Sequence, residues 1–243
     1  MKIKKTQLLV LSGGFGSRLK KVVPDVPKAL APINQKNFLF YFLKNWWRHG
    51  IRNIVFLLHY KSEMIISYIE NNKKNSFFSD LSFKFIIEEQ PLGTGGSVKH
   101  AINKLDIKNN FLLTNSDTYI ENFSSILNNS KTPSIAIVNN IKNACRFGHV
   151  TVKKNRIIKF EEKNNDKSAS YQHNINAGIY LLDPNFFSKF TNKPASLEKD
   201  YLPNLITDIE FKAIILKSKF FDIGVPKDYL KFQNWILTTN NDF

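Results

Sequence analysis

The residues best placed to do chemistry lie between Leu11 and Lys28. The run is Leu11-Ser12-Gly13-Gly14-Phe15-Gly16-Ser17-Arg18-Leu19, and Pro27-Lys28 follows. An apolar stretch, Leu8-Leu9-Val10-Leu11, stops at Gly13-Gly14, so a buried strand feeds a glycine-rich turn. Glycine admits positive φ and lets backbone N–H groups approach a ligand closely. Arg18 adds a planar guanidinium and Lys28 a compact ammonium. Bare amides beside two such cations suit a triphosphate. A P-loop would end in Gly-Lys-Ser/Thr, whereas these glycines end in Ser17-Arg18. A dinucleotide fingerprint would need a third glycine where Leu19 stands.

Carboxylates form a second set. Asp117 closes Leu112-Leu113-Thr114-Asn115-Ser116-Asp117, an acid emerging from a buried strand, and Asp222 sits in Phe220-Phe221-Asp222-Ile223-Gly224. Taken singly, each reads as a strand-end turn cap. Glu88-Glu89 precedes Pro91-Leu92-Gly93-Thr94-Gly95-Gly96. Taken by themselves, these two carboxylates read as an exposed strand end. The five histidines show no metal-ligand spacing, and the single cysteine, Cys145, has no evident catalytic partner.

The elements that must position these groups follow from hydrophobic periodicity. Strands are expected at Leu8–Leu11, Ile54–Leu58, Phe83–Ile87 and Phe111–Thr114. Helices are expected at Phe38–Arg48, at Glu63–Glu70 with Ser62 as N-cap, and at Ser97–Lys104 after a glycine turn. This βαβα order implies a mostly parallel sheet covered by helices, with ligands at the carboxyl ends of the strands. Further on, Ser134–Val138, His149–Val152, Ile157–Phe160 and Ile175–Leu182 read as strands, Lys153-Lys154-Asn155 as a hairpin turn and Asn164–Ser170 as a polar loop. Helices near Asp183–Phe190, Leu197–Ile206 and Lys227–Leu237, and a strand at Lys212–Leu216, complete the order. Trp46, Trp47 and Trp235 read as helix packing, and no repeat or linker divides the chain.

At 243 residues, 42% hydrophobic and 13% aromatic, the chain can bury a sizeable core. No apolar run reaches membrane-spanning length, and the one after the basic N-terminus is too short for a signal-peptide core, so no membrane insertion is expected. One cysteine excludes an internal disulfide and suits the cytoplasm. The formal charge is +15, but the lysines are scattered without a long basic run or aromatic interleaving. The excess then serves to attract anionic substrates, and no nucleic acid is expected as a partner.

With these residues in place, the chain resembles the sugar-1-phosphate nucleotidylyltransferases, whose signature is Leu-x-Gly-Gly-x-Gly-Thr/Ser-Arg-Leu followed by Pro-Lys. The likeness continues in family order through Leu92-Gly93-Thr94-Gly95-Gly96, Asn115-Ser116-Asp117, Phe160-Glu161-Glu162-Lys163, Asn176-Ala177-Gly178-Ile179-Tyr180 and Asp222-Ile223-Gly224-Val225-Pro226. Within the family it is most similar to the short bacterial D-glycero-D-manno-heptose 1-phosphate guanylyltransferases. That likeness rests on Lys28-Ala29-Leu30-Ala31-Pro32-Ile33, Glu88, the run from Pro91 to Gly96 and the run from Asp222 to Tyr229. Ala29-Leu30 stand where the family usually has Pro-Met, and Ser116 where glycine is commoner.

The resemblance implies an α/β fold of the Rossmann-like three-layer nucleotide-diphospho-sugar transferase type with a central mixed sheet. A single domain would cover residues 1–243, with a nucleotide-binding half to about residue 125 and a sugar-binding half from about 126. The implied reaction joins a nucleoside triphosphate, GTP being favoured, to a sugar 1-phosphate in the cytoplasm, giving an NDP-sugar for cell-surface glycans such as capsule or lipopolysaccharide, and pyrophosphate. Arg18 and Lys28 would be catalytic, and Asp117 and Asp222 would hold Mg²⁺. Leu11, Gly13, Gly14, Gly16, Ser17, Glu88, Gly93, Thr94 and Asn115 would hold the nucleotide. Gly148, Glu161, Lys163, Asn176 and Gly178 would hold the sugar phosphate, with Glu198 as a further candidate. Whether Glu161 or Glu162 faces inward turns on strand alternation. The chain has no room for an additional β-helix acyltransferase domain, so one activity is expected. The aromatic-rich late helices suit either packing on the sheet or a homo-oligomer. Two alternatives stay open, a UTP- or CTP-dependent hexose-1-phosphate enzyme and a silent nucleotide-sugar-binding regulator.

Overall fold

The computed structural model describes residues 3–129, 132–139, 146–162, 174–191 and 193–239. In chain order the strands and helices are β1 (Gln7–Ser12), β2 (Pro32–Ile33), β3 (Lys36–Asn37), α1 (Phe38–Arg48), β4 (Asn53–Leu58), α2 (Ser62–Asn72), β5 (Ser82–Ile87), α3 (Gly93–Leu105), β6 (Phe111–Asn115), β7 (Thr118–Ile120), α4 (Ser124–Asn128), β8 (Ser134–Val138), β9 (His149–Lys153), β10 (Arg156–Glu161), β11 (Ile175–Leu182), α5 (Leu202–Asp208), β12 (Lys212–Ile215), β13 (Phe220–Asp222) and α6 (Pro226–Thr238). They form two compact units. The first comprises Lys2–Glu89, Thr114–Glu121 and Lys219–Phe243; the second comprises Gln90–Leu113 and Asn122–Ser218.

In the first unit, β5, β4 and β1 lie side by side in that order. All are parallel, with Gln7 opposite Asn53 and Asn53 opposite Ser82. Leu8, Leu9, Val10 and Ile54 to Leu58 are buried, the near-continuous apolar run of a parallel strand covered on both faces. Helix α1 starts where the Asn37 side chain accepts from the Phe40 N–H at 3.0 Å. It buries Phe38, Leu39, Phe42, Leu43 and Trp46, and each such side chain contributes about 1.5–3 kcal/mol. Its Asn45 donates to the Ile120 carbonyl at 2.7 Å, which pins β7. Strand β7 pairs antiparallel with β13, placing Asp222 opposite Thr118. Helix α6 covers that ribbon: the Phe232 and Trp235 rings lie 5.1 and 5.4 Å from Tyr119. Pro226 sits in its first turn, where the missing N–H costs nothing. Helix α2 begins at Ser62 rather than being capped by it; Lys61, at φ 52°, occupies the cap.

In the second unit the strand order is β6-β11-β8-β12-β10-β9. Strands β11 and β8 are antiparallel, β8 and β12 parallel, and β12, β10 and β9 successively antiparallel, so the sheet is mixed. The β9–β10 hairpin turns through Lys154 and Asn155, both at positive φ as a two-residue primed turn requires, and Lys153 belongs to β9. A bulge interrupts β10 between Ile157 and Lys159. The expected helix near Asp183–Phe190 is a 3-10 helix, Pro184–Lys189, capped by Asp183. The expected helix near Leu197–Ile206 is a π-helical turn, Leu197–Tyr201, running into α5. The loop Asn164–Ser170, Cys145 and Lys163 lie outside the described residues. No helix among the described residues is long and apolar enough to cross a membrane.

Candidate active site

Strand β1 delivers the glycine turn of the first unit. Gly16 has φ +65°, and a Cβ built there would lie 2.8 Å from Lys28 Cγ. A side chain at residue 16 would therefore strain the backbone and push the lysine aside. Gly13 lies against His59, Gly14 has open space beside it, and Ser17 and Arg18 are exposed. The half-buried Leu11 accepts from the Ser116 N–H at 2.9 Å through its carbonyl. That bond ties the turn to the strand end carrying Asn115 and Asp117.

The two aspartates are brought together by the β7–β13 ribbon and by the Ile223 N–H, which donates to the Asp117 carbonyl at 3.0 Å. A Cβ built on Gly224 would lie 2.7 Å from Asp222 Oδ1, 3.5 Å from Asp117 Oδ2 and 3.6 Å from Arg18 Nη2. Only a residue without a side chain leaves this cradle open. The Lys28 ammonium donates to Asp117 Oδ2 as an ion pair. Arg18, Lys28, Asp117 and Asp222 thus converge. Burial opposes charge on both partners, but each outweighs that penalty for the other: the Lys28 pKa is raised and the Asp117 pKa lowered. Among the described residues no three His, Cys, Asp or Glu side chains gather as a metal cage. Two carboxylates suffice for a hard cation that takes its other ligands from phosphates and water. Glu88, just past β5, is buried at 6% exposure, whereas Glu89 is exposed.

The second unit holds the other candidates. Gly93 opens α3 at φ +71°, and a Cβ there would stand 2.5 Å from the Ala195 carbonyl oxygen. The Gly95 and Gly96 N–H groups donate to that same oxygen at 2.9 and 3.2 Å. The Thr94 hydroxyl accepts from the Leu197 N–H at 2.8 Å and donates to Glu198 Oε2 at 2.6 Å. Glu198 also accepts from Ser196 at 3.1 Å. The buried Tyr180 hydroxyl accepts from Asn176 Nδ2 at 2.6 Å and lies 3.4 Å from Glu198 Oε1. Burial, with Glu198 adding to it, raises the Tyr180 pKa well above the usual phenol, so it stays protonated. Asn176 accepts from the Gly178 N–H at 3.0 Å, and its own N–H donates to the Gly148 carbonyl at 2.9 Å.

A Cβ on Gly148 would meet Glu162 Oε2 at 3.2 Å. Glu161 instead pairs with Lys159 at 2.9 Å and is 39% exposed. Gly148, Glu162, Asn176, Gly178, Tyr180, Glu198 and Thr94 therefore gather, and Glu161 turns away from them. Glu162 is the inward one of the two glutamates that the sequence left open, and Tyr180 and Gly224 were not among the sequence candidates. The bulge in β10 decides for Glu162 and carries no local sequence signal, whereas the Asp-x-Gly spacing is the signal for Gly224.

A nucleotidyl transferase family model matches residues 7–239. The D-glycero-alpha-D-manno-heptose 1-phosphate guanylyltransferase of Campylobacter jejuni is 33% identical over 227 residues, which cover 93% of this chain and 98% of that one. The enzyme of the same name from Aneurinibacillus thermoaerophilus is 30% identical over 231 residues, 93% and 96% of the two chains. Among solved structures, HddC from Yersinia pseudotuberculosis complexed with GMP-PN aligns at a TM-score of 0.79 and 30% identity, over 95% of this chain and 99% of that one. The α/β nucleotide-diphospho-sugar transferase fold expected from the motifs is the fold observed. By its sequence, its fold and the extent of the match, the chain belongs to the nucleotidyl transferase family.

Proposed function

We propose that this chain transfers GMP from GTP to D-glycero-D-manno-heptose 1-phosphate, releasing pyrophosphate and forming a GDP-heptose. The convergence of Arg18, Lys28, Asp117 and Asp222 around Gly224 carries the reading. Its substrates are taken from the two guanylyltransferases at 33% and 30% identity.

A phosphate oxygen of the sugar 1-phosphate attacks the α-phosphorus in line, and pyrophosphate leaves. That oxygen is already anionic, so no general base is needed. The barrier is the approach of two polyanions, which positioning and fixed charge lower. Arg18 holds the β- and γ-phosphates and stabilises the leaving pyrophosphate. Lys28, laid across Gly16, meets the α-phosphate and the sugar phosphate as a compact charge. The amides of Gly13, Gly14, Gly16 and Ser17 line the triphosphate, with Leu11 and Asn115 beneath the nucleoside. Glu88 accepts from guanine N1–H and N2–H. Asp117 and Asp222 fit Mg²⁺, which supplies charge neutralisation on the phosphates when bound. Gly148, Glu162, Asn176 and Gly178 meet the sugar hydroxyls. The reaction belongs in the cytoplasm, where GTP is made available.

The test is pyrophosphate release with Mg²⁺ from GTP, UTP, CTP, ATP and dTTP against a panel of sugar 1-phosphates including the heptose and mannose. GTP with the heptose should be fastest, and Asp117→Ala should abolish it. UTP or CTP outrunning GTP would overturn the base assignment. Tight nucleotide binding without turnover from any pair would indicate a silent regulator.

A further inference from the structure

Glu88 owes its place to Leu58, the last residue of β4, and to His59, which follows it. Its N–H donates to the Leu58 carbonyl at 2.9 Å, and its carbonyl faces His59 Nδ1 at 3.1 Å. A carbonyl only accepts, so Nδ1 carries the proton and donates. Both main-chain groups of Glu88 are thus held by consecutive residues at the end of one strand. His59 also touches the glycine turn. A Cβ built on Gly13 would lie 3.3 Å from His59 Cβ and 3.6 Å from its nitrogen. The Phe15 ring, between Gly14 and Gly16, stands edge-on to the imidazole with centroids 5.9 Å apart, and its other neighbour is Tyr60 at 5.4 Å.

We infer that His59 is a positioning residue that fixes the triphosphate turn relative to the carboxylate that reads the base. The inference rests on the reading of Glu88 as that carboxylate. One side chain contacts both parts: its Nδ1–H aims the Glu88 backbone, and its Cβ and ring set the height of the Gly13–Gly16 turn. A small shift of His59 therefore moves base reader and phosphate turn relative to each other. Discrimination at the guanine edge suffers first, because a carboxylate accepting two parallel N–H groups tolerates little misplacement.

The experiment measures kcat/KM for GTP and for ITP, which lacks the guanine 2-amino group, in the full chain with Mg²⁺ and the sugar 1-phosphate that best supports turnover. His59→Asn keeps an N–H near the Nδ1 position, His59→Gln carries its amide toward the Nε2 position, and His59→Ala has neither. Losing one such hydrogen bond should cut the GTP-over-ITP preference about tenfold in His59→Ala and His59→Gln, while His59→Asn stays within about threefold of the parent. KM for the sugar phosphate should not move. Thermal melts report folding, and if the alanine variant melts out, the Gln and Asn pair alone decides the matter. Glu88→Gln should collapse the same preference. If Glu88→Gln collapses it while His59→Ala and His59→Gln keep it, His59 only packs and the inference is wrong. If Glu88→Gln leaves it untouched, the base-reading assignment fails and the inference falls with it.

Discussion

Gly224 lies so close to Asp222 that a methyl group on it would stand 2.7 Å from Asp222 Oδ1. The crowded atom is the far end of a side chain, which can swing away at the cost of the hydrogen bond it accepts from the Gly224 N–H at 2.8 Å. The swing would displace one of the two carboxylates assigned to Mg²⁺. Gly224→Ala should therefore melt within about 1 kcal/mol of the parent yet lose roughly tenfold to a hundredfold in kcat/KM. It should also need more Mg²⁺ for half-maximal rate. A magnesium titration of pyrophosphate release beside a thermal melt checks both halves. An unchanged magnesium dependence would count against the metal assignment.

Lys28 combines a charge with a position. Its stem occupies the space that a Cβ on Gly16 would need, and its ammonium reaches Asp117. Lys28→Met keeps the stem and removes the charge, so turnover should fall about a hundredfold or more with the fold retained. Lys28→Arg should rescue poorly, because a planar fork replaces a point charge. Steady-state rates for both variants, with circular dichroism, make the comparison.

Gly93 poses the opposite case to Gly224. A Cβ there meets backbone, the Ala195 carbonyl oxygen at 2.5 Å, and φ is +71°. Backbone cannot swing away. Gly93→Ala should destabilise the protein by about 2–4 kcal/mol, visible as a lowered melting temperature before any kinetic assay is run.

The two adjacent glutamates separate function from surface. Glu162 lies beside Gly148, whereas Glu161 is paired with Lys159. Glu162→Gln should lower kcat/KM for the sugar phosphate about tenfold or more through KM, and Glu161→Gln should stay within about twofold. Equal effects from the two would show that Glu162 does not reach the sugar.

This pair also shows where sequence reading stops. From Ile157 inward, strict alternation would carry Lys159 and Glu161 to the same face. The bulge between Ile157 and Lys159 resets the count, so Phe160 is buried and Glu162 turns in. Nothing local announces a bulge. By contrast α1 was legible to the residue, because Phe38 to Arg48 carries a strong 3.6-residue pattern behind an asparagine cap. The turn from Gly13 to Lys28 was legible because glycine spacing and cation placement are local. The start of α3 was placed late, at Ser97, since Gly93-Thr94-Gly95-Gly96 has low helix propensity. Contacts with Ala195 and Leu197, distant in sequence, override it. For Glu198 the sequence offered a sugar-site candidate and a helix-start acid equally, and the hydroxyls of Thr94 and Ser196, one distant and one local in sequence, both donate to it.

The ribbon of β7 and β13 has a consequence for the order in which activity arises during synthesis. Asp117 and the cations of the glycine turn emerge from the ribosome early. Asp222 comes only with β13, and α6 then seals the ribbon through Phe232 and Trp235 on Tyr119. A growing chain can thus shape its glycine turn long before it owns a pair of carboxylates. Fragments ending before Phe220 should bind nucleotide weakly and hydrolyse or transfer nothing, and a supplied peptide spanning β13 and α6 is the natural candidate for restoring them.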